Sequence, residues 1–291
     1  MEFKWLKRSE IDEKKWDDCI KHSANGHVFA QSWYLDIVCD DWQGVVADDY
    51  EAVLPLPLKR IGFQTVYCPH WTPYLGIINQ KPINKKAAWL MLQTVPYFNI
   101  NLVMGTHNKL PGMKALRCEA RKFAVLDLIS EISRLEKRFK PELKPIIELY
   151  KKKKINVVRA MDASEYLNFV NRPGVYANGD ELPALLKMIS FALRYKSAGL
   201  YAAYDERNQM VAGAFLLKSD KKLSLIHCGD CSSNLEAVKA IIFHILDHNA
   251  GSNLTLEFPF YSDEVGRFFT ANEHVCLVYK KGLPKWISLF H

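Results

Sequence analysis

Long apolar runs are missing from this chain of 291 residues. Nothing approaches the roughly 18 consecutive apolar residues of a membrane-spanning helix, so no span is expected. The opening stretch, Met1-Glu2-Phe3-Lys4-Trp5-Leu6-Lys7-Arg8, has no apolar segment of the secretory kind, and a cytoplasmic location follows as the expectation. No internal repeat or low-complexity tract is visible. Cysteine is sparse: seven residues, scattered and odd in number, as for reduced thiols rather than a disulfide framework. The close pair Cys228 and Cys231 has neither a second pair nor spaced histidines to complete a zinc set. No metal site is expected, and two core or loop thiols is the plainer reading. There is no serine or cysteine nucleophile elbow, no RNP1 sequence and no helix-turn-helix pattern.

What is present is the composition of a folded globular chain, 49% apolar and 24% charged, long enough for one large or two ordinary domains. The formal charge is +7. Part of it is the run Lys151-Lys152-Lys153-Lys154, which reads either as a solvated helix end or as a contact for a phosphate-rich ligand such as coenzyme A or a tRNA backbone.

Periodicity predicts an amphipathic helix over 11–22, broken at Asn25-Gly26, and a short helix over 29–38. A β-hairpin follows, 44–47 with 51–58. Pro55 and Pro57 alternate with leucines there, which predicts an edge strand or a bulge, because proline cannot donate to a central ladder. Strands are expected at 65–68, 75–78, 99–104 and 123–128, with a helix at 87–94. Helical stretches follow at 130–139 and 143–152, then a strand at 155–159 and helices at 163–170 and 183–195. The last third predicts three strands joined by short connections (200–205, 210–218, 223–228), a helix from 235, a strand at 254–258, a short helix near 263–270 and a strand at 275–279.

Three antiparallel strands, then helix, strand, helix, strand, is the order of the acyl-CoA N-acyltransferase (GNAT) fold. Three stretches carry a more specific resemblance. They are Val53-Leu54-Pro55-Leu56-Pro57-Leu58-Lys59, the basic segment from Glu148 to Val157, and Leu254-Thr255-Leu256-Glu257-Phe258-Pro259 with Val265-Gly266-Arg267-Phe268-Phe269. The chain resembles the FemAB-like aminoacyl- and acyltransferases, which place two such lobes in tandem. It departs from them in having Pro259-Phe260 where a small residue and glycine are usual, and in lacking the coiled-coil insertion of some tRNA-dependent members.

The resemblance implies an α+β fold of tandem GNAT-like lobes, each a mixed, mainly antiparallel sheet flanked by helices. The division by sequence is a first lobe at 1–128, a helical connection at 129–154 and a second lobe at 155–291. It implies transfer of an acyl or aminoacyl group to an amine. The donor would be a CoA-linked or other small molecule, with acyl-CoA one candidate, or an aminoacyl-tRNA, and no cofactor is certain. Such a reaction needs orientation, a proton acceptor and oxyanion stabilisation rather than a nucleophilic triad.

In this fold the helix after the third hairpin strand offers its first N–H groups to a pyrophosphate. That places Ser232, Ser233 and Asn234 as the cofactor-binding candidates. The loop has only Gly229, with acidic Asp230 beside it, and Ser233 with Glu236 also has the spacing of a plain capping box. A non-catalytic binding protein on a degenerate transferase fold is therefore the alternative, and an RNA-associated module a third class.

The catalytic candidates each carry two readings. Glu257 could orient an amine or take its proton, or make a structural salt bridge. Tyr261 and Tyr279 could donate to an oxyanion or a thiolate, or be ordinary half-buried rings. His227 is a general base or a hydrogen-bonded core histidine. Lys280, at the end of the last strand, is drawn in by the resemblance as a stabiliser of the transition state. The aromatic segment from Tyr67 to Gly76 lines an acceptor pocket or packs as a proline-stiffened loop.

Overall fold

The computed structural model describes residues 1–61, 63–105, 117–159, 162–173, 175, 182–232 and 235–282. They divide into two compact units, residues 1–122 with 275–291, and residues 123–274. The stretch 129–154, read from sequence as a connection, lies inside the second unit.

The first unit opens with β1 (Phe3–Lys7), α1 (Glu13–His22) and α2 (Ser32–Val38). Asp12 caps α1 by accepting from the Lys15 N–H, so the helix starts at Glu13, two residues after the point where periodicity alone began it. Strands β2 (Asp41–Ala47), β3 (Ala52–Ile61) and β4 (Phe63–Val66) follow, then β5 (Ile78–Asn79), α3 (Lys85–Gln93) and β6 (Asn99–Met104). The strand order is β1-β2-β3-β4-β6-β13, with β5 also on β3, where β13 is Asn272–Lys281. All neighbours are antiparallel except β4 and β6.

The proline-bearing strand β3 is not at an edge: β2 pairs it throughout on one side, β5 and β4 on the other. Its second side is interrupted. Pairing with β5 stops at Val53 and pairing with β4 begins at Leu58. The Pro57 carbonyl accepts from the Tyr67 N–H, so the ring nitrogens of Pro57 and Pro55 face this gap, where no ladder donor is required.

The second unit runs through the end of β7 (Arg117–Asp127), α4 (Ile132–Glu136), α5 (Lys144–Lys151), β8 (Asn156–Arg159), α6 (Ala163–Val170), α7 (Leu182–Arg194), β9 (Ala198–Tyr204), β10 (Met210–Ser219), β11 (Lys222–Asp230), α8 (Glu236–Asn249) and β12 (Thr255–Phe258). The predicted helix after β12 is only a 3-10 turn, Gly266–Phe269. The order is β8-β9-β10-β11-β12-β7, antiparallel except for β11 with β12.

Each unit is thus a mixed, mainly antiparallel sheet flanked by helices, and the two share one connectivity. A strand is followed by two helices, three antiparallel strands, a helix and a parallel strand. The last strand of the first unit, β13, comes from the C-terminal part of the chain, while β7 pairs with β12 through Ala124–Asp127 of the second unit. Among the described residues no helix is long and apolar enough to cross a membrane.

Candidate functional site

The site is built where β11 and β12 part. Their parallel ladder spans Lys222–Ser224 against Thr255–Glu257, after which β11 runs on to Asp230. The pairing with β10 explains the bend. Phe215 opposes His227 while Leu216 opposes Leu225, so Ile226 is an extra residue, a β-bulge on β11. Because of it, Leu225 and Cys228 share one face, in the core beneath α8. His227 faces the other way. Past the end of β12, Tyr261 sends its hydroxyl back to accept from the Cys228 N–H at 3.3 Å. Burial pushes the Cys228 thiol up, with the Tyr261 hydroxyl opposing.

Glu257 lies between Leu256 and Phe258, both in the core beneath α8, so its side chain takes the opposite face. It is 3% exposed. Its Oε2 accepts from the Ser224 hydroxyl at 2.8 Å, and Lys222 Nζ stands 3.8 Å from Oε1. His227 is fully buried, with Nδ1 2.6 Å from the Tyr166 hydroxyl of α6. Burial pulls its imidazole down to about 3. Gly213 on β10 leaves the room for that tyrosine: an added Cβ would stand 2.9 Å from the Tyr166 ring.

At the start of α8 the N–H groups have a resident acceptor. Asp230, 4% exposed, accepts from the Ser232 N–H at 2.6 Å and the Val238 N–H at 2.9 Å. The Ser232 hydroxyl accepts from the Glu236 N–H at 3.0 Å. The helix begins at Glu236, later than the sequence suggested, after Leu235 in the left-handed region at φ 52°. Ser233 and Asn234 lie outside the described residues.

Close by, three cations surround the Phe268 ring. Lys239 Nζ lies 3.8 Å from its centroid, the Arg267 guanidinium carbon 4.9 Å and Lys140 Nζ 5.9 Å. Burial holds the Lys239 ammonium below the usual lysine range, and Arg267 acts in the same direction.

The sequence candidates therefore fall into two groups. Glu257, Tyr261, His227 and Ser232 belong to the second unit. Tyr279 and Lys280 lie on β13 in the first, where Tyr279 is buried opposite Leu102 and Lys280 pairs with Glu119. Sequence reasoning missed the Ile226 bulge, the Cys228 amide, Ser224 and the capping role of Asp230. Only Asp230 had a signal, its position ahead of the helix.

The lysine run is largely engaged with carboxylates: Lys151 with Glu136, Lys152 with Glu148 and Lys154 with Glu206. The aromatic segment packs inward in the first unit. The Tyr34 hydroxyl donates to the Trp71 carbonyl, and Tyr74 packs against His27 and Phe29. Among the described residues no three metal-binding side chains converge.

No family model and no curated protein matches this chain. Solved structures do. It is similar to the crystal structure of FemX, with a TM-score of 0.67 at 11% identity, covering 99% of each chain. It is also similar to the L-PGS structure from Bacillus licheniformis, TM-score 0.57 at 11% identity over 96% of this chain and 95% of that one. The third is the C-terminal domain of a putative lysylphosphatidylglycerol synthetase from Agrobacterium fabrum, TM-score 0.56 at 9% identity over 97% and 94%. At the level of the fold, the chain is FemAB-like: tandem GNAT-like lobes in an α+β protein.

Proposed function

We propose that this chain transfers an acyl or aminoacyl group from an activated donor to an amine, in the gap between β11 and β12. The observation that carries the reading is the parting of the two strands at the Ile226 bulge. It takes the Cys228 N–H out of the ladder and leaves it with only the long hydrogen bond to Tyr261. A donor carbonyl entering the gap would claim that N–H, and the displaced Tyr261 hydroxyl would become a second donor to the developing oxyanion. Glu257, held by Ser224 and Lys222 at the closed end of the gap, would orient the attacking amine or receive its proton. His227, buried and bonded to Tyr166, serves in this reading to hold β11 in place.

Of the two donor classes, an aminoacyl ester suits the start of α8 better than coenzyme A. A pyrophosphate there would meet the buried Asp230 carboxylate, which already accepts from the Ser232 and Val238 N–H groups. The likeness to a domain of a putative lysylphosphatidylglycerol synthetase supports that preference. The same Asp230 contacts favour the second reading, a binding protein that has given up its phosphate loop.

The decisive experiment mixes the full chain with charged, radiolabelled aminoacyl-tRNA pools or with acyl-CoAs, and follows label into amine acceptors. Tyr261→Phe should lower turnover by about 100- to 1000-fold with little change in folding, the range seen for loss of one oxyanion donor. Label that moves equally fast in wild type and Tyr261→Phe would defeat the proposed gap. No transfer from any donor, with binding retained, would favour the second reading.

A further inference from the structure

Far from the Asp230 end of α8, its last turns carry His244 and His248, one helical turn apart. The two rings lie side by side, with centroids 4.1 Å apart and planes inclined by 41°. We propose that His244 and His248 form a binding site for a divalent transition-metal ion. Two histidines at i and i+4 on one helix face are a recurrent chelating pair, since 3.6 residues per turn bring both imidazoles to the same side.

The hydrogen bonds around the pair accommodate the tautomer that metal binding requires. His248 Nδ1 lies 2.8 Å from the His244 carbonyl oxygen, which only accepts, so Nδ1–H donates and Nε2 keeps its lone pair when the ring is neutral. His244 Nδ1 lies 2.9 Å from the Tyr150 hydroxyl of α5. In the tautomer with a proton on Nδ1, His244 donates to that hydroxyl oxygen and presents an unprotonated Nε2.

An imidazole whose other nitrogen donates to an oxygen partner is the usual arrangement behind metal ligands, because it fixes the ring and raises its basicity. Asp247 and His248 are the titratable neighbours on α8 and Tyr150 the one on α5; the Tyr201 ring of β9 packs 6.2 Å from His244.

Two imidazoles, with water completing the shell, select Cu²⁺, Ni²⁺ or Zn²⁺ over the oxygen-seeking Mg²⁺ and Ca²⁺. A site of this size holds its ion exchangeably. Because Tyr150 belongs to α5, a bound ion would stabilise the α5–α8 contact without entering the gap at β11.

The test uses the full chain without a polyhistidine tag. Calorimetric titration with NiCl2 should show one saturable equivalent, with CuCl2 tighter and MgCl2 silent. The melting temperature should climb with free Ni²⁺ as the folded state is drawn down by binding. His248→Ala, at an exposed position, should weaken Ni²⁺ binding by more than about tenfold, and Tyr150→Phe by about tenfold, the outer-shell effect. Cys231→Ser should leave binding unchanged, and circular dichroism checks that each variant folds. No heat with Ni²⁺ or Cu²⁺, or binding that survives His248→Ala but not Cys231→Ser, would overturn the site. Neither result bears on acyl transfer, which is measured separately.

Discussion

Replacing Asp230 by alanine would strand two backbone donors, the N–H groups of Ser232 and Val238. The expected loss is about 1–3 kcal/mol, the cost of a lost cap with a donor left buried, and urea unfolding of the full chain measures it. Asp230→Asn keeps an acceptor and should lose less. His227 makes a different prediction, one of pH. Its folded imidazole titrates at about 3, whereas the unfolded one titrates near about 6.5. Between those values the unfolded chain binds the extra proton. The unfolding free energy should therefore rise with pH across that window and level off above about 6.5. Unfolding curves at several pH values, for wild type and His227→Gln, isolate the contribution. If both show the same slope, His227 is not buried neutral.

At the scale of the element, the helices sit on strands whose small residues make room for them. Gly213→Ala would press a methyl group to 2.9 Å from the Tyr166 ring and 3.0 Å from the Met210 methyl carbon. Overpacking of this kind should destabilise by about 1–3 kcal/mol and loosen α6, with chemical denaturation as the measurement. Most elements were legible in the sequence because their signals are local. The short connections through β9 to β11 and the apolar stripe of α8 need no partner to be recognised. The misread features are those that a second strand decides. The prolines of β3 suggest an edge by their chemistry alone, and only the gap between β5 and β4 shows why an interior strand accepts them. The Ile226 bulge is equally hidden, since it is a property of the register between β10 and β11. For the same reason Glu257 and Tyr261 could be named from sequence, while Ser224 and the Cys228 amide could not. Their partners arrive through pairing, not through spacing.

At the scale of the molecule, the shared connectivity of the two units leaves no repeat that the eye finds in the sequence, because topology constrains the pattern of burial and not the identity of side chains. The first unit takes its last strand, β13, from the far end of the chain, and this predicts what truncation does. A chain stopped at residue 270 lacks β13, so β6 becomes an open edge with Leu102 and Met104 uncovered. Size-exclusion chromatography with light scattering should find it aggregated. Limited proteolysis should cut residues 1–122 while sparing 123–270. Survival of the first part as a protected, monodisperse unit would contradict the strand assignment. The borrowed strand also sets a schedule. The second unit is one continuous stretch, 123–274, whereas the first waits for Val275 onward. At translation rates of about 5–20 residues per second, the roughly 150 intervening residues impose a delay of about 8–30 s. The part of the protein made first is therefore completed last, and on the ribosome its unfinished sheet is the surface a chaperone would meet.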